Sequence, residues 1–352
     1  MFKIHNMFKV GNISVVSQTE SEAFLENELR DTEGDWFYWA FCVEHAENKE
    51  ITFHMQKNRI GYWGPAVSHD LINWEWLGSC CGDSFTYRFA EDESKVYFAH
   101  HMLYPPERFF DLAQKHGISV SELGKSRKGN SLPCLKFGDG EISIILTARH
   151  HACESTGSYV LEGVLDVLLS SPIPNAKVLC VPFVDYDGAM EGDQGKNRIP
   201  HDHNRDYIDR PVYPETAAIK AYADQNGCNF AFDFHSPWHK GRTNDTIFVV
   251  RNREERTDEY ERFAELLAAE CDGDCMSYKK ENYYPPCTGW NQPSPNFSYT
   301  MHCRPECKLA FSLESAYFGT EDNIVSAKRL IALGNAFARA LKRYVGENNP
   351  NI

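Results

Sequence analysis

Two patterns of apolar and polar positions divide the chain. Up to about residue 100 the apolar residues come in short runs rich in β-branched and aromatic side chains: ISVVSQ, DWFYWAFCVEHA, EITFHMQ, FTYRFA and KVYFAHHM. Turn-forming clusters separate them, and no stretch of helical period interrupts them. Short strands at such regular spacing predict a β-sandwich. At Pro105 the pattern changes. PPERFFDLAQKHG predicts a helix with prolines in its first turn and a glycine stop. Beyond it, the apolar runs ISIILTA (142–148), KVLCVPFV (177–184), NFAFDFH (229–235), TIFVV (246–250) and KLAFSLE (308–314) predict buried strands. They alternate with segments of helical period at 158–170, 214–225, 254–270 and 323–344.

Alternation of this kind predicts an α/β fold, a mixed and mostly parallel sheet flanked by helices on both faces, preceded by an all-β sandwich domain. The expected division is an N-terminal domain over 1–105 and an α/β domain over 106–352. The stretch 271–307, rich in Pro, Cys, Asn and Tyr, is too long for an ordinary connection and is expected to be a functional loop or small insertion.

Composition narrows the function classes. The chain has 352 residues, 42% of them hydrophobic, enough for a sizeable core. The net charge is -14 and no basic run appears. That argues against nucleic acid and against an anionic membrane surface as partners. No apolar run approaches the ~20 residues of a membrane span. The N-terminus, MFKIHNMFKVGNISVV, lacks the basic-then-apolar form of a secretory signal, so a cytoplasmic location is expected. Of the twelve cysteines, several lie in apolar runs and are expected to act as small buried hydrophobes. Cys271, Cys275, Cys287, Cys303 and Cys307 stand apart as free thiols, disulfides or a second metal site, without the usual C-x-x-C zinc spacing.

Candidate chemistry gathers where strands end. ISIILTA stops at Ala148, and Arg149, His150, His151 and Glu154 follow at once; NFAFDFH ends on His235. Ligands in open α/β sheets collect at the carboxyl ends of strands. Two His and one Glu form the ligand set of catalytic zinc, with a fourth position left for water. With 14 histidines in the chain, no single one of these is informative alone. There is no H-E-x-x-H, which excludes the helix-borne metalloprotease arrangement. Downstream, the polar, Gly-rich segment VPFVDYDGAMEGDQGKNRIPHDHNRDY brings Arg198, Asp202, Asn204 and Arg205 close together. Arg and Asn beside a metal can clamp a substrate carboxylate.

Taken together, these segments resemble the zinc carboxypeptidase family, and within it the cytosolic carboxypeptidase branch. The family's R-x-H-x-x-E motif corresponds to Arg149-His150-His151-Ala152-Cys153-Glu154, which selects His151 over His150. Its Pro-x-x-x-x-Asp-Gly turn corresponds to Pro182–Gly188, its Asp-x-Asn-Arg motif to Asp202–Arg205, its Asp-x-His motif to Asp233-Phe234-His235, and the Glu closing a later strand to Glu314. Order and spacing agree over about residues 98–344, and the N-terminal segment resembles the sandwich that precedes the catalytic domain in the cytosolic branch. Ala152-Cys153 departs from the family's Pro-Gly. The Cys153 thiol, next to Glu154, is an extra-ligand candidate beside a plain packing role.

The resemblance implies a zinc metallocarboxypeptidase acting on peptide or protein C-termini, with one Zn2+ per chain on His151, Glu154 and His235. It further implies Glu314 as general base and Arg198 as the oxyanion arginine. Asn204 and Arg205 would hold the terminal carboxylate, and Asp202 would hydrogen-bond the far nitrogen of His151. The covering tyrosine has three candidates in Tyr283, Tyr284 and Tyr299. Basic residues for an acidic C-terminal side chain, the known preference of the branch, have candidates in Lys240, Arg242 and Arg304. Two other readings stay open: a zinc-dependent deacylase of N-acyl amino acids (desuccinylase or aspartoacylase type), which the N-terminal sandwich disfavours, and a non-catalytic binding protein whose face is Trp36, Tyr38, Trp39, Trp63, Trp74 and Trp76.

Overall fold

The structure is a computed structural model that describes residues 2–78 and 82–348. Cys80 and Cys81 lie outside the described residues. The first hundred residues form two small, mostly antiparallel sheets, one of five strands and one of four. Strand alternation explains how they pack. In Ala40–Glu44 the side chains of Phe41 and Val43 point toward the four-stranded sheet and join Ile51, Phe53, Phe85 and Phe98 in one core. Ala40 and Cys42 point the other way, into the large core of the following α/β region. The five-stranded sheet is thus apolar on both faces, which is why its central strand reads as a continuous apolar run. The last strand of these sheets is Lys95–Ala99, and the first helix is Pro106–Lys115.

The α/β region is built on an eight-stranded sheet. Its order is Ser121–Lys125, Ser131–Phe137, Ala176–Val181, Ile142–Ala148, Phe230–His235, Leu309–Glu314, Ile247–Val250, Tyr278–Tyr284. The four central strands are mutually parallel. Ile144 and Leu146 face the helices Ser155–Ser170, Thr257–Glu270 and Ala327–Glu347; Ile145 faces Pro214–Asn226 and Phe297–His302. Helices on both faces leave the strand ends as the exposed rim of the sheet.

Several elements fall outside the sequence pattern. The edge strands Ser121–Lys125 and Tyr278–Tyr284 read SELGK and YKKENYY, polar because their outer faces meet solvent. The segment 254–270 begins with a 3-10 turn at Glu254–Arg256 and becomes α-helical at Thr257. The C-terminal helix starts at Ala327, where the Ser326 side chain accepts the Arg329 amide, so the cap sets its start later than the apolar pattern does. The 271–307 stretch holds the strand Tyr278–Tyr284 and the helix Phe297–His302. The ten described cysteines are free, Cys271, Cys275, Cys287, Cys303 and Cys307 among them.

Candidate active site

The strand Ile142–Ala148 runs into a tight turn whose first residue, Arg149, sits at φ 62. Few side chains adopt that left-handed conformation. Its own guanidinium holds the turn closed: Nε donates to the Ala152 carbonyl at 2.7 Å and Nη1 to Ser155 Oγ at 3.2 Å. The turn sends His151 and Glu154 to one side, directly ahead of the helix Ser155–Ser170. His235 closes the neighbouring strand and Glu314 the one beyond; they are register partners.

The structure brings His151, Glu154 and His235 together. One donor atom from each lies within 4.8 Å of the others. His151 Nδ1 is 2.8 Å from Glu154 Oε1, and His235 Nδ1 is 2.6 Å from Glu154 Oε2. Each imidazole turns its other nitrogen to a second carboxylate. His151 Nε2 is 3.2 Å from Asp202 Oδ1, and His235 Nε2 meets Asp233 Oδ2. Carboxylates on the outer nitrogens fix ring orientation and tautomer, leaving each Nδ1 as a lone-pair donor. The donor set and its orientation therefore fit a zinc ion. A second cluster, His150, Asp233 and His235, is equally compact. His150 is fully buried, however, and uses both ring nitrogens, one on Asp233 and one on the Tyr207 hydroxyl. It braces Asp233.

These groups open onto a cavity of about 430 Å³. Glu314 lines it, and its Oε2 is buried with no hydrogen-bond partner. Burial pushes its carboxyl up to about 7, against the pull of His235 and with the push of Glu154. Asn204 and Arg205 also line the cavity. The Asn204 side chain is anchored by the Phe297 amide at 3.2 Å and lies 3.2 Å from His235 Nε2.

Arg198 does not reach the cavity, which corrects the expectation for it. Its side chain is wholly buried among Asp31, Asp185 and Asp193, the last at 3.1 Å. Three carboxylates fix the guanidinium so firmly that it is a strut between the N-terminal region and the α/β region. A cation that does face the His151, Glu154 and His235 cluster is Lys196, which sequence reasoning missed. Its Nζ lies 2.6 Å from Glu154 Oε1, donates to the Ser236 and Pro237 carbonyls at 3.1 and 3.3 Å, and stands over the Trp36 ring. The one available signal was its place two residues before Arg198 in the same Gly-rich loop.

Cys153 is buried with its sulfur 3.8 Å from the Tyr317 hydroxyl, outside the metal cluster. Tyr283, Tyr284 and Tyr299 do not line the cavity; Tyr284 stacks under Trp290, which does. Trp36 and Trp238 line it as well, so the first hundred residues contribute one side chain, Trp36, to the cavity. The other N-terminal aromatics are structural. Trp39 is core, and the Trp63 and Trp76 indoles donate to the Phe318 and Val325 carbonyls across the interface.

This is the fold of the metallo-carboxypeptidases. The metallo-carboxypeptidase from Burkholderia cenocepacia superposes with a TM-score of 0.82 at 18% identity, covering 99% of this chain and 100% of that one. In sequence the chain resembles the cytosolic branch. Cytosolic carboxypeptidase 2 of Xenopus tropicalis is 25% identical over 300 residues, 74% of this chain but only 30% of that protein's length. An uncharacterised protein of Zymomonas mobilis is 29% identical over 256 residues, 66% of this chain and 67% of its own. No protein-family model matches the sequence. No helix among the described residues is long and apolar enough to cross a membrane.

Proposed function

We propose that the chain is a zinc-dependent metallocarboxypeptidase that removes the last residue from peptides or proteins. One observation carries this reading: two imidazole nitrogens and a carboxylate converge in a cavity lined by Glu314, whose Oε2 is buried without a hydrogen-bond partner, and by Asn204 and Arg205. His151, Glu154 and His235 would hold the zinc, one per chain, which would acidify a water and polarise the scissile carbonyl. Glu314 accepts the proton of the attacking water and delivers it to the leaving nitrogen. A carboxyl lifted to about 7 suits both halves of that task. Lys196, the buried cation beside Glu154, balances the charge that builds on the carbonyl oxygen. Asn204 and Arg205 bind the terminal carboxylate, which selects the last peptide bond. Asp202 and Asp233 hold the two ligand histidines in orientation. The reading includes a cytoplasmic location, in line with the sequence resemblance and the buried free thiols.

The test is zinc stoichiometry together with cleavage of a mixed C-terminal peptide library, read by mass spectrometry. Release of single C-terminal residues, abolished by a chelator and restored by zinc, is the expected result. About one zinc per chain without peptide cleavage would move the assignment to the N-acyl amino acid deacylases, and a chain that retains no metal would sink both.

A further inference from the structure

Resting on the carboxypeptidase reading, the wall of the cavity next to Glu314 bears on which residue is removed. Ser312 lies two positions before Glu314 on the same strand, so both side chains share a face. Ser312 Oγ is 3.1 Å from Ser298 Oγ, which donates to Asn252 Oδ1 at 3.3 Å. Asn252 is itself fixed, donating to the Ala310 carbonyl at 2.9 Å. Asn296, at the start of the helix Phe297–His302, caps it by accepting the Tyr299 amide at 2.8 Å. All four side chains line the cavity. They make a preset surface of hydroxyls and amides with no charge on it.

Among the described residues, the side chains of fixed positive charge that line the cavity are Lys196 and Arg205. Lys196 is engaged with Glu154, and Arg205 is the neighbour of Asn204. Lys240, Arg242 and Arg304 do not line the cavity. Lys240 donates to the Ile60 carbonyl, Arg242 lies in the turn Arg242–Asp245, and Arg304 pairs with Asp224. Arg251, one residue before Asn252, pairs with Glu261 and stacks on the Tyr283 ring. An acidic side chain placed against this wall would find Lys196 held by Glu154 and Arg205 assigned to the terminal carboxylate, and would face Glu314. A basic one would find Glu154 and Asp202 already engaged by His151, His235 and Lys196, which leaves only the base itself. Either would lose hydration without compensation. A hydroxyl or carboxamide could exchange hydrogen bonds with Ser298, Ser312, Asn252 and Asn296. An apolar side chain would strip water from the same four groups and gain on this wall only Val250, the register partner of Ser312.

We infer that the enzyme removes C-terminal residues with uncharged polar side chains, of the Ser, Thr, Asn and Gln class, and that Ser298, Ser312, Asn252 and Asn296 set this preference. The experiment measures kcat/KM of the zinc-loaded full chain on peptides of one body ending in Gln, Ser, Glu, Lys or Phe. Gln and Ser are expected to exceed Glu, Lys and Phe by about tenfold or more. Ser298→Lys is expected to move the ranking toward Glu. A wild-type ranking led by Glu, Lys or Phe would overturn the inference and leave the carboxypeptidase reading standing. No cleavage of any peptide by a chain holding one zinc would overturn that reading and the inference with it. The wild-type ranking decides the matter even if Ser298→Lys does not fold.

Discussion

His235 and Glu314 face each other as register partners on the last rung of two adjacent parallel strands. The imidazole proposed as a metal ligand and the proposed base are therefore held by a hydrogen-bonded ladder, not by a loop. Glu314→Gln keeps that ladder and removes only the proton acceptor. Turnover should fall by about 10²–10⁴-fold with metal content unchanged. Because the base acts ionised, kcat/KM should also decline as pH drops, along an acid limb no higher than about 7. A glutamine variant with near-native turnover would remove Glu314 from the mechanism.

Metal binding should couple to stability. A ligand held by the folded chain and not the unfolded one raises stability by mass action, about 4 kcal/mol at a thousandfold excess over Kd. A chelator should lower the Tm of the wild type by several degrees and leave that of His235→Ala unmoved. Retention of a full equivalent of zinc by His235→Ala would exclude His235 as a ligand.

Lys196 and Arg198 should separate in kinetics. Lys196→Met is expected to lower kcat by about 10²–10³-fold with a smaller change in KM, and Lys196→Arg to recover part of the loss. Arg198→Met leaves Asp31 with Arg127, Asp193 with Arg30 and Arg127, and Asp185 with the Gly188 amide but no arginine, and should show as lost stability. The assignment of Lys196 fails if its methionine variant changes KM alone.

Gly157 is the spacer between the two ligand-bearing elements. A Cβ there would stand 2.5 Å from the Phe234 carbonyl oxygen and 3.0 Å from the His235 amide nitrogen, both backbone atoms. Gly157→Ala must push the helix from the strand, at about 1–3 kcal/mol. Zinc affinity should fall with it, measured by competition with a chromogenic chelator. A variant with native stability and affinity would show that the contact yields freely.

Glu215 makes stability depend on pH. Burial pushes its carboxyl from 4.5 up to about 7, despite the Arg127 amide it accepts at 2.7 Å. The folded chain then binds the proton more tightly than the unfolded one. This group's stabilisation is complete below about pH 4.5 and is lost as pH rises through 7, on the order of 3 kcal/mol. Urea unfolding at pH 5 and pH 8 should show a larger loss for the wild type than for Glu215→Gln. Equal losses would place the Glu215 pKa near its ordinary value.

Much of this architecture was legible in the sequence because buried central strands such as ISIILTA and NFAFDFH have no polar interruption, and because the site residues sit at their ends. The edge strand YKKENYY was not legible, since a half-solvated strand loses its apolar signature. Lys196 and Arg198 illustrate a second limit. They are two residues apart in an irregular loop, where no fixed period says which side chain turns inward. Three acids drawn from distant positions, Asp31, Asp185 and Asp193, decide that Arg198 does not. Trp36 and the Ser298–Ser312 pair were hidden for a related reason. Their proximity to the metal-binding residues is a product of topology, and isolated Trp, Ser and Asn carry no spacing rule.

Trp36 has a consequence for how the protein matures. The candidate metal ligands and Glu314 come from the strand ends of the α/β region, but Trp36 comes from the first hundred residues, which the Arg198–Asp31 pair ties to that region. The cleft gains its Trp36 ring only when the two parts of the chain dock. A folding chain that has gathered its histidines but not yet seated Trp36 has a cleft that lacks this ring. Cleft completion is then a checkpoint on assembly, and the appearance of peptide cleavage during refolding should lag behind the uptake of zinc.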